Sequence, residues 1–140
     1  TIVTSGANIA IELSQRSRST VSCVGGQISS STLSLSGPQA EAFLATVNID
    51  TAVLAATGYS AGAGFTVGSY TENSLKRRVI QKADKVILLI DRSKLGRTLP
   101  FTFASLSDID VVICDAPLPE DFIQAARAAG TEVLQVQPAK

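Results

Sequence analysis

The amino-acid sequence predicts an α/β domain built on a mostly parallel sheet flanked by helices. Three observations carry that prediction: short apolar runs rich in β-branched residues, stretches of helical period between them, and an apolar content of 45% against 17% charged residues. At 140 residues the chain has the length of one ordinary domain with one core.

Taken in order, Ile2 to Val3 reads as a strand, and Asn8 to Leu13 as a helix in which Ile9 and Leu13 stand one turn apart. Val21 to Val24 is the second apolar run, closed by Gly25-Gly26. Ser29 to Ser36, with alternating Leu33 and Leu35, fits a short antiparallel or edge strand. Gly37-Pro38 opens a helix, since proline lacks only an amide hydrogen that the first helical position does not need. Ala40, Phe43, Leu44 and Val47 are expected on one face of it.

Ala52 to Ala56 is the next strand, and Thr57 to Tyr70 the longest irregular stretch, containing Gly58, Gly62, Gly64 and Gly68. Thr71 is the expected cap of a helix whose Leu75 and Val79 face the core, with Glu72 and Lys76 four apart on another side. Val86 to Ile90 and Val111 to Cys114 read as strands, with Leu99 to Leu106 between them as a second edge candidate. A last helix runs from Pro119 to Gly130, its dipole complemented by Glu120 and Asp121, and Val133 to Val136 closes the sheet. Strands this continuously apolar imply burial on both faces.

Composition excludes several functions. Twelve basic and twelve acidic residues cancel, so the chain alone lacks the field that attracts duplex DNA. Lys76-Arg77-Arg78, with Lys82 and Lys85, reads as a solvated face. The longest apolar run, Val86 to Ile90, is far too short to span a bilayer, and the N-terminus has no signal-peptide pattern, so a soluble cytoplasmic protein without membrane contact is expected. No histidine is present, which removes Ser-His and Cys-His catalysis and the usual zinc ligand; no metal and no cofactor is expected. Cys23 and Cys114 sit in apolar runs and read as buried thiols. The chain has no methionine and opens on Thr1-Ile2-Val3, as though inside a strand, which suggests an N-terminally incomplete domain.

Ligands of parallel sheets bind beyond the carboxyl ends of the strands. The segments in that position are Thr4-Ser5-Gly6, Gly25-Gly26, Thr57-Gly58, Asp91-Arg92-Ser93-Lys94 and Asp115, all polar or small. The glycine-rich stretch carrying Gly58 and Gly64 could offer backbone amides to an anion, or could simply be surface turns. Lys94 offers a point positive charge one turn from the Asp91 carboxylate, or is a solvated loop lysine.

Asp91-Arg92-Ser93-Lys94-Leu95-Gly96-Arg97, followed by Leu106-Ser107-Asp108-Ile109-Asp110 and Asp115, resembles the C-terminal sensor domain of DeoR-family repressors. Gly25-Gly26, Leu33-Ser34-Leu35-Ser36-Gly37-Pro38 and Glu72 with Lys76-Arg77 fall in the same order and spacing. The resemblance implies the Rossmann-like fold shared with ribose-5-phosphate isomerase, glucosamine-6-phosphate deaminase and coenzyme A transferases. It further implies an N-terminal helix-turn-helix domain, through which alone DNA is bound, and a phosphorylated sugar or related metabolite as effector. By that similarity Asp91, Ser93 and Lys94 line the pocket, Lys94 matches a substrate-contacting lysine, and Glu72 and Lys76 match a recurrent acid and base. Two departures stand out: the family's Asp-Ser-Gly-Thr-Thr phosphate loop would precede this chain, and Gln27-Ile28-Ser29-Ser30 lacks the usual basic residue after the double glycine.

The expected ligand-binding set is therefore Gly25, Gly26, Thr57, Gly58, Gly64, Glu72, Lys76, Asp91, Ser93 and Lys94, with no catalytic residue. Isomerases of this fold need a carboxylate at the end of the central strand, and Ala52 to Thr71 contains no acid, which favours sensing over turnover. A sugar-phosphate isomerase or deaminase and a degenerate oligomerisation domain using Phe101 and Phe103 remain the alternatives. The regulator is expected to be a homo-oligomer.

Overall fold

A computed structural model describes residues 1–115 and 117–137. The chain divides into two units, Thr1–Val47 and Asn48–Lys140. In the first, β1 (Ile2–Thr4) and β2 (Val21–Cys23) pair in parallel, Ile2 beside Val21, and are joined by α1 (Ala7–Arg16). β3 (Gln27–Ile28) and β4 (Leu35–Ser36) pair antiparallel; of the stretch Ser29 to Ser36 read as a strand, only Leu35–Ser36 is one, and its partner precedes the stretch. α2 (Pro38–Ala45) starts on its proline and buries Ala40 and Leu44, but it ends before Val47, which lies beyond the helix. Ile9 on α1 is largely exposed, and Cys23 is exposed where a buried thiol was expected.

In the second unit, β5 (Ile49–Ala55) leads into a hairpin of β6 (Gly58–Ser60) and β7 (Gly64–Val67), so half of the stretch read as irregular is antiparallel sheet. α3 (Tyr70–Lys82) is capped by Ser69, whose hydroxyl accepts from the Glu72 amide at 3.4 Å; Thr71, the expected cap, is inside the helix. β8 (Ala83–Ile90) follows, then a 3-10 turn at Arg92–Lys94 and β9 (Phe101–Ala104), which pairs antiparallel with β7. A second 3-10 turn at Leu106–Asp108 precedes β10 (Val111–Cys114), α4 (Glu120–Ala129) and β11 (Glu132–Gln135). α4 ends as its glycine dictates: Gly130 takes a φ of 78° and the Thr131 amide reaches back to the Ala126 carbonyl at 2.8 Å.

The central sheet has the order β11-β10-β8-β5, with every pair parallel. Side chains alternate along each strand, and one face carries Val86, Leu88, Ile90, Val112 and Cys114 into a core completed by Phe65, Phe103, Phe122 and Ala126. The other face holds Val53 at 59% and Leu89 at 43% exposure, so burial on both faces is not observed in these strands. Phe103 belongs to the core and Phe101 is half-buried against Tyr70, which leaves neither as a free surface aromatic.

Candidate functional site

Parallel strands end together, and the register decides which residues meet. Ala55 stands beside Leu89 and Ile90 beside Cys114, so the segments leaving β5, β8 and β10 share one edge of the sheet. Asp91 and Asp115 begin two of those segments and Thr57 is the second residue of the third, and the Arg92 amide donates to the Asp115 carboxylate at 3.3 Å across the edge. Three of the five segments expected on one rim thus share an edge; Thr4-Ser5-Gly6 and Gly25-Gly26 follow β1 and β2, which form a separate sheet in the first unit.

Asp91 caps the 3-10 turn, accepting the Ser93 amide at 2.9 Å and the Ser93 hydroxyl on the same oxygen. The Ser93 hydroxyl foremost, with the Ser93 amide and the charges of Lys94 and Arg97, holds the Asp91 carboxyl below the usual carboxylate range against an opposing desolvation. Asp91 therefore carries a standing negative charge that accepts hydrogen bonds from hydroxyls and repels an anion placed against it. Lys94 is half-buried, and its amide closes the turn on the Asp91 carbonyl at 3.1 Å.

Lys76 departs from its reading as part of a solvated face. Arg77, Arg78 and Lys85 are exposed, but the Lys76 ammonium is half-buried, donates to the Ala55 carbonyl at 2.5 Å and lies 5.2 Å from the centre of the Phe103 ring. Desolvation lowers its pKa, and Glu72 one turn back opposes the shift. The site thus gains a cation at the end of β5.

The glycines of the hairpin serve close packing. A β-carbon on Gly58 would stand 2.5 Å from the Arg97 carbonyl oxygen, and one on Gly64, which has a φ of +78°, would stand 2.5 Å from the Ala104 carbonyl oxygen. The expected glycine-rich loop free to cradle an anion is instead a strand pair. Thr57 is exposed, while its amide is already bonded to the Thr66 carbonyl at 3.1 Å. Gly25 and Gly26 lie in the first unit after β2, both at positive φ; a β-carbon on Gly26 would meet the Ser36 carbonyl oxygen at 2.6 Å. A cavity of about 400 Å³ elsewhere in the second unit, bounded by Tyr59, Ala61, Ser105, Ser107, Ala125 and Ala129, has no charged lining.

Sequence reasoning missed Asn73. It is only 6% exposed, and its side-chain oxygen has no hydrogen-bond partner. The available signal was an amide at a helical position three residues before Lys76, on the face where packing calls for an apolar residue.

This sheet and its connections define a Rossmann-like α/β domain. The chain matches the DeoR C terminal sensor domain over residues 1–116 and belongs to that family. It is 36% identical over 132 residues to the HTH-type transcriptional regulator GlpR of Haloferax volcanii, covering 94% of this chain and 51% of the relative. It is 31% identical over 134 residues to the HTH-type transcriptional repressor GlcR of Bacillus subtilis, covering 96% and 52%. With the glycerol-3-phosphate regulon repressor of Escherichia coli it shares 28% identity over 123 residues, 88% of this chain and 49% of that one. The chain spans about half the length of these relatives. Among the described residues, no helix is long and apolar enough to cross a membrane, and no group of three or more His, Cys, Asp or Glu could hold a metal ion.

Proposed function

We propose that the chain senses a phosphorylated sugar or a related small phosphorylated metabolite for a cytoplasmic, homo-oligomeric transcription regulator. DNA would be bound only through an N-terminal helix-turn-helix domain. The observation that supports this reading most is the mixed charge at the strand ends: the fixed carboxylate of Asp91 beside Lys94, and Lys76 at the end of β5. Such a rim has cations for an anionic group and acceptors for hydroxyls. Ser93, Thr57 and Glu72 complete the proposed ligand set. The name of the Escherichia coli relative concerns a glycerol-3-phosphate regulon, which agrees with a phosphate ester as effector.

Binding without turnover is part of the proposal, because no acid lies between Ala52 and Thr71 to move a proton at the end of β5. Titrating glycerol 3-phosphate, glucose 6-phosphate and fructose 6-phosphate while following thermal unfolding tests it. A ligand at a hundredfold its Kd stabilises by roughly 2.7 kcal/mol. Lys94→Ala should weaken the response with little change in the unliganded melting temperature. Interconversion of aldose and ketose phosphates would replace the sensor reading with an isomerase, and no response to any phosphate ester would replace it with an oligomerisation domain.

A further inference from the structure

The charged rim makes no use of the uncharged cavity of about 400 Å³ in the same unit. That cavity exists because the residues around it are too short to fill it: Ala61 and Ala63 in the β6–β7 turn, and Ala125 and Ala129 one turn apart on α4. Ser105 and Ser107 precede β10 and Ala129 precedes β11, so this side of it lies at the amino ends of the strands, away from the rim at their carboxyl ends. Tyr59 on β6 also lines it. Tyr59 is 8% exposed, its ring centre 4.7 Å from that of Phe65 and 4.9 Å from that of Phe122. Among the described residues its hydroxyl has no hydrogen-bond partner, and a phenol withdrawn from water without one is costly. Burial, reinforced by the Asp121 carboxylate, raises its pKa, so it stays a neutral donor.

The turn ahead of β10 supplies an acceptor. The Asp108 carboxylate takes the single Ser105 hydroxyl proton at 3.1 Å, so in the 2.8 Å contact between the two serines Ser107 donates and Ser105 accepts. Ser107 Oγ keeps its lone pairs for another donor. No cation lines the cavity: Arg127 stands two residues from both Ala125 and Ala129, off their face of α4, whereas Asp108 holds Ser105 and Asp121 acts on Tyr59. An anion placed there would meet carboxylates and nothing to neutralise it. We propose that this cavity is a second binding site, taking a small uncharged carboxamide whose carbonyl accepts from the Tyr59 hydroxyl, whose N–H donates to Ser107 Oγ and whose apolar body rests on the alanines. A carboxamide carries its acceptor and its donor on different atoms, as two separate protein partners require. The volume lies within the roughly 300–1,000 Å³ of small-molecule sites. This site is independent of the proposed phosphorylated effector, whose charge it would reject.

The test titrates the chain and two variants with benzamide and with benzoate, its anionic counterpart of the same shape, and follows backbone amide shifts by NMR. Benzamide should move the amides of Gly62, Ala63 and Ser107 in a saturable manner, and benzoate should leave them in place. Tyr59→Phe should weaken benzamide about three- to tenfold, the loss of one neutral hydrogen bond. Its unliganded melting temperature should equal or exceed that of the parent, because an unpaired hydroxyl has been removed; a fall would show the hydroxyl already partnered and would overturn the proposal. Ala125→Leu puts a larger side chain at an exposed helical position beside the cavity and should abolish benzamide binding while the fold is kept. No saturable shift with benzamide up to its solubility limit, equal binding of benzoate, or shifts that persist in Ala125→Leu would each overturn the proposal and leave the sensor reading standing.

Discussion

Gly58→Ala separates two uses of the glycines that follow β5. If they offer amides to a ligand, the substitution should impair binding and spare the fold; if they permit close packing, it should damage the fold first. A methyl at Gly58 would stand 2.5 Å from the Arg97 carbonyl oxygen, 3.0 Å from its carbon and 2.7 Å from Leu99 Cδ2. Leu99 could turn aside, but the backbone cannot retreat freely. The Leu99 amide is held by the Thr66 hydroxyl at 3.0 Å and the Gly96 amide by the Tyr59 carbonyl at 2.8 Å. Overpacking of this kind costs about 1–3 kcal/mol. An unfolding entropy of about 2.1 cal/mol/K per residue gives roughly 0.3 kcal/mol/K for a chain of this size, so the melting temperature should fall by roughly 3–10 °C. Gly62→Ala is the control, since a β-carbon there meets nothing within 4 Å. It should change stability by less than about 0.5 kcal/mol. Melting followed by circular dichroism decides the matter: equal midpoints for the two variants would refute the packing argument.

Ser69→Ala should cost about 1 kcal/mol by removing the cap of α3, measurable by urea unfolding, while Thr71→Ala should cost less. Ser93→Ala should raise the Asp91 pKa, because the bond that lowers it most is lost; carbon-detected NMR titration reads this directly. With its native pKa depressed, Asp91 contributes stability above the ordinary carboxylate range and loses it as pH falls through the native value. Ser93→Ala should therefore flatten the acid limb of the stability curve. Asp110→Ala should destabilise by about 1–3 kcal/mol, since its carboxylate accepts the Val86 amide at 2.7 Å and the substitution strands that donor; hydrogen exchange at Val86 would show the loss locally.

The parallel sheet was legible because each of its strands contains an apolar run, even where polar residues such as Asp50, Lys85 and Glu132 extend it, and α3 and α4 show their period. α4 was legible at both ends, from Pro119 and Gly130. The β6–β7 hairpin was hidden by small residues: Ala61, Gly62 and Ala63 give no alternation, and its ordering depends on contacts from Arg97 and Ala104, distant in sequence. Ser69 and Thr71 are equivalent caps by composition, and only geometry chooses between them. Lys76 carried a charge-run signal that argues for solvent, whereas Phe103, 27 positions away, covers its ammonium. Burial on both faces failed as an inference for Val53 and Leu89 because hydrophobicity records what a strand tolerates, not what is packed on it.

The arrangement of charge also constrains how the proposed ligand would lie. Asp91 is kept ionised by Ser93, so its carboxylate favours hydroxyls over a phosphate, whereas Lys94 in the same turn and the Lys76 ammonium at the end of β5 supply the cations. Those strands are hydrogen-bonded neighbours, and adjacent strands lie roughly 5 Å apart. A molecule with its phosphate on Lys76 and a hydroxyl one or two carbons away on the Asp91 carboxylate satisfies both groups, and a phosphate set against Asp91 itself brings like charges together. An analogue in which the hydroxyl nearest the phosphate is replaced by hydrogen should therefore lose affinity in the parent but lose little more in Asp91→Asn. Calorimetry on that pair measures the coupling, and additive losses would show that Asp91 and the hydroxyl do not meet.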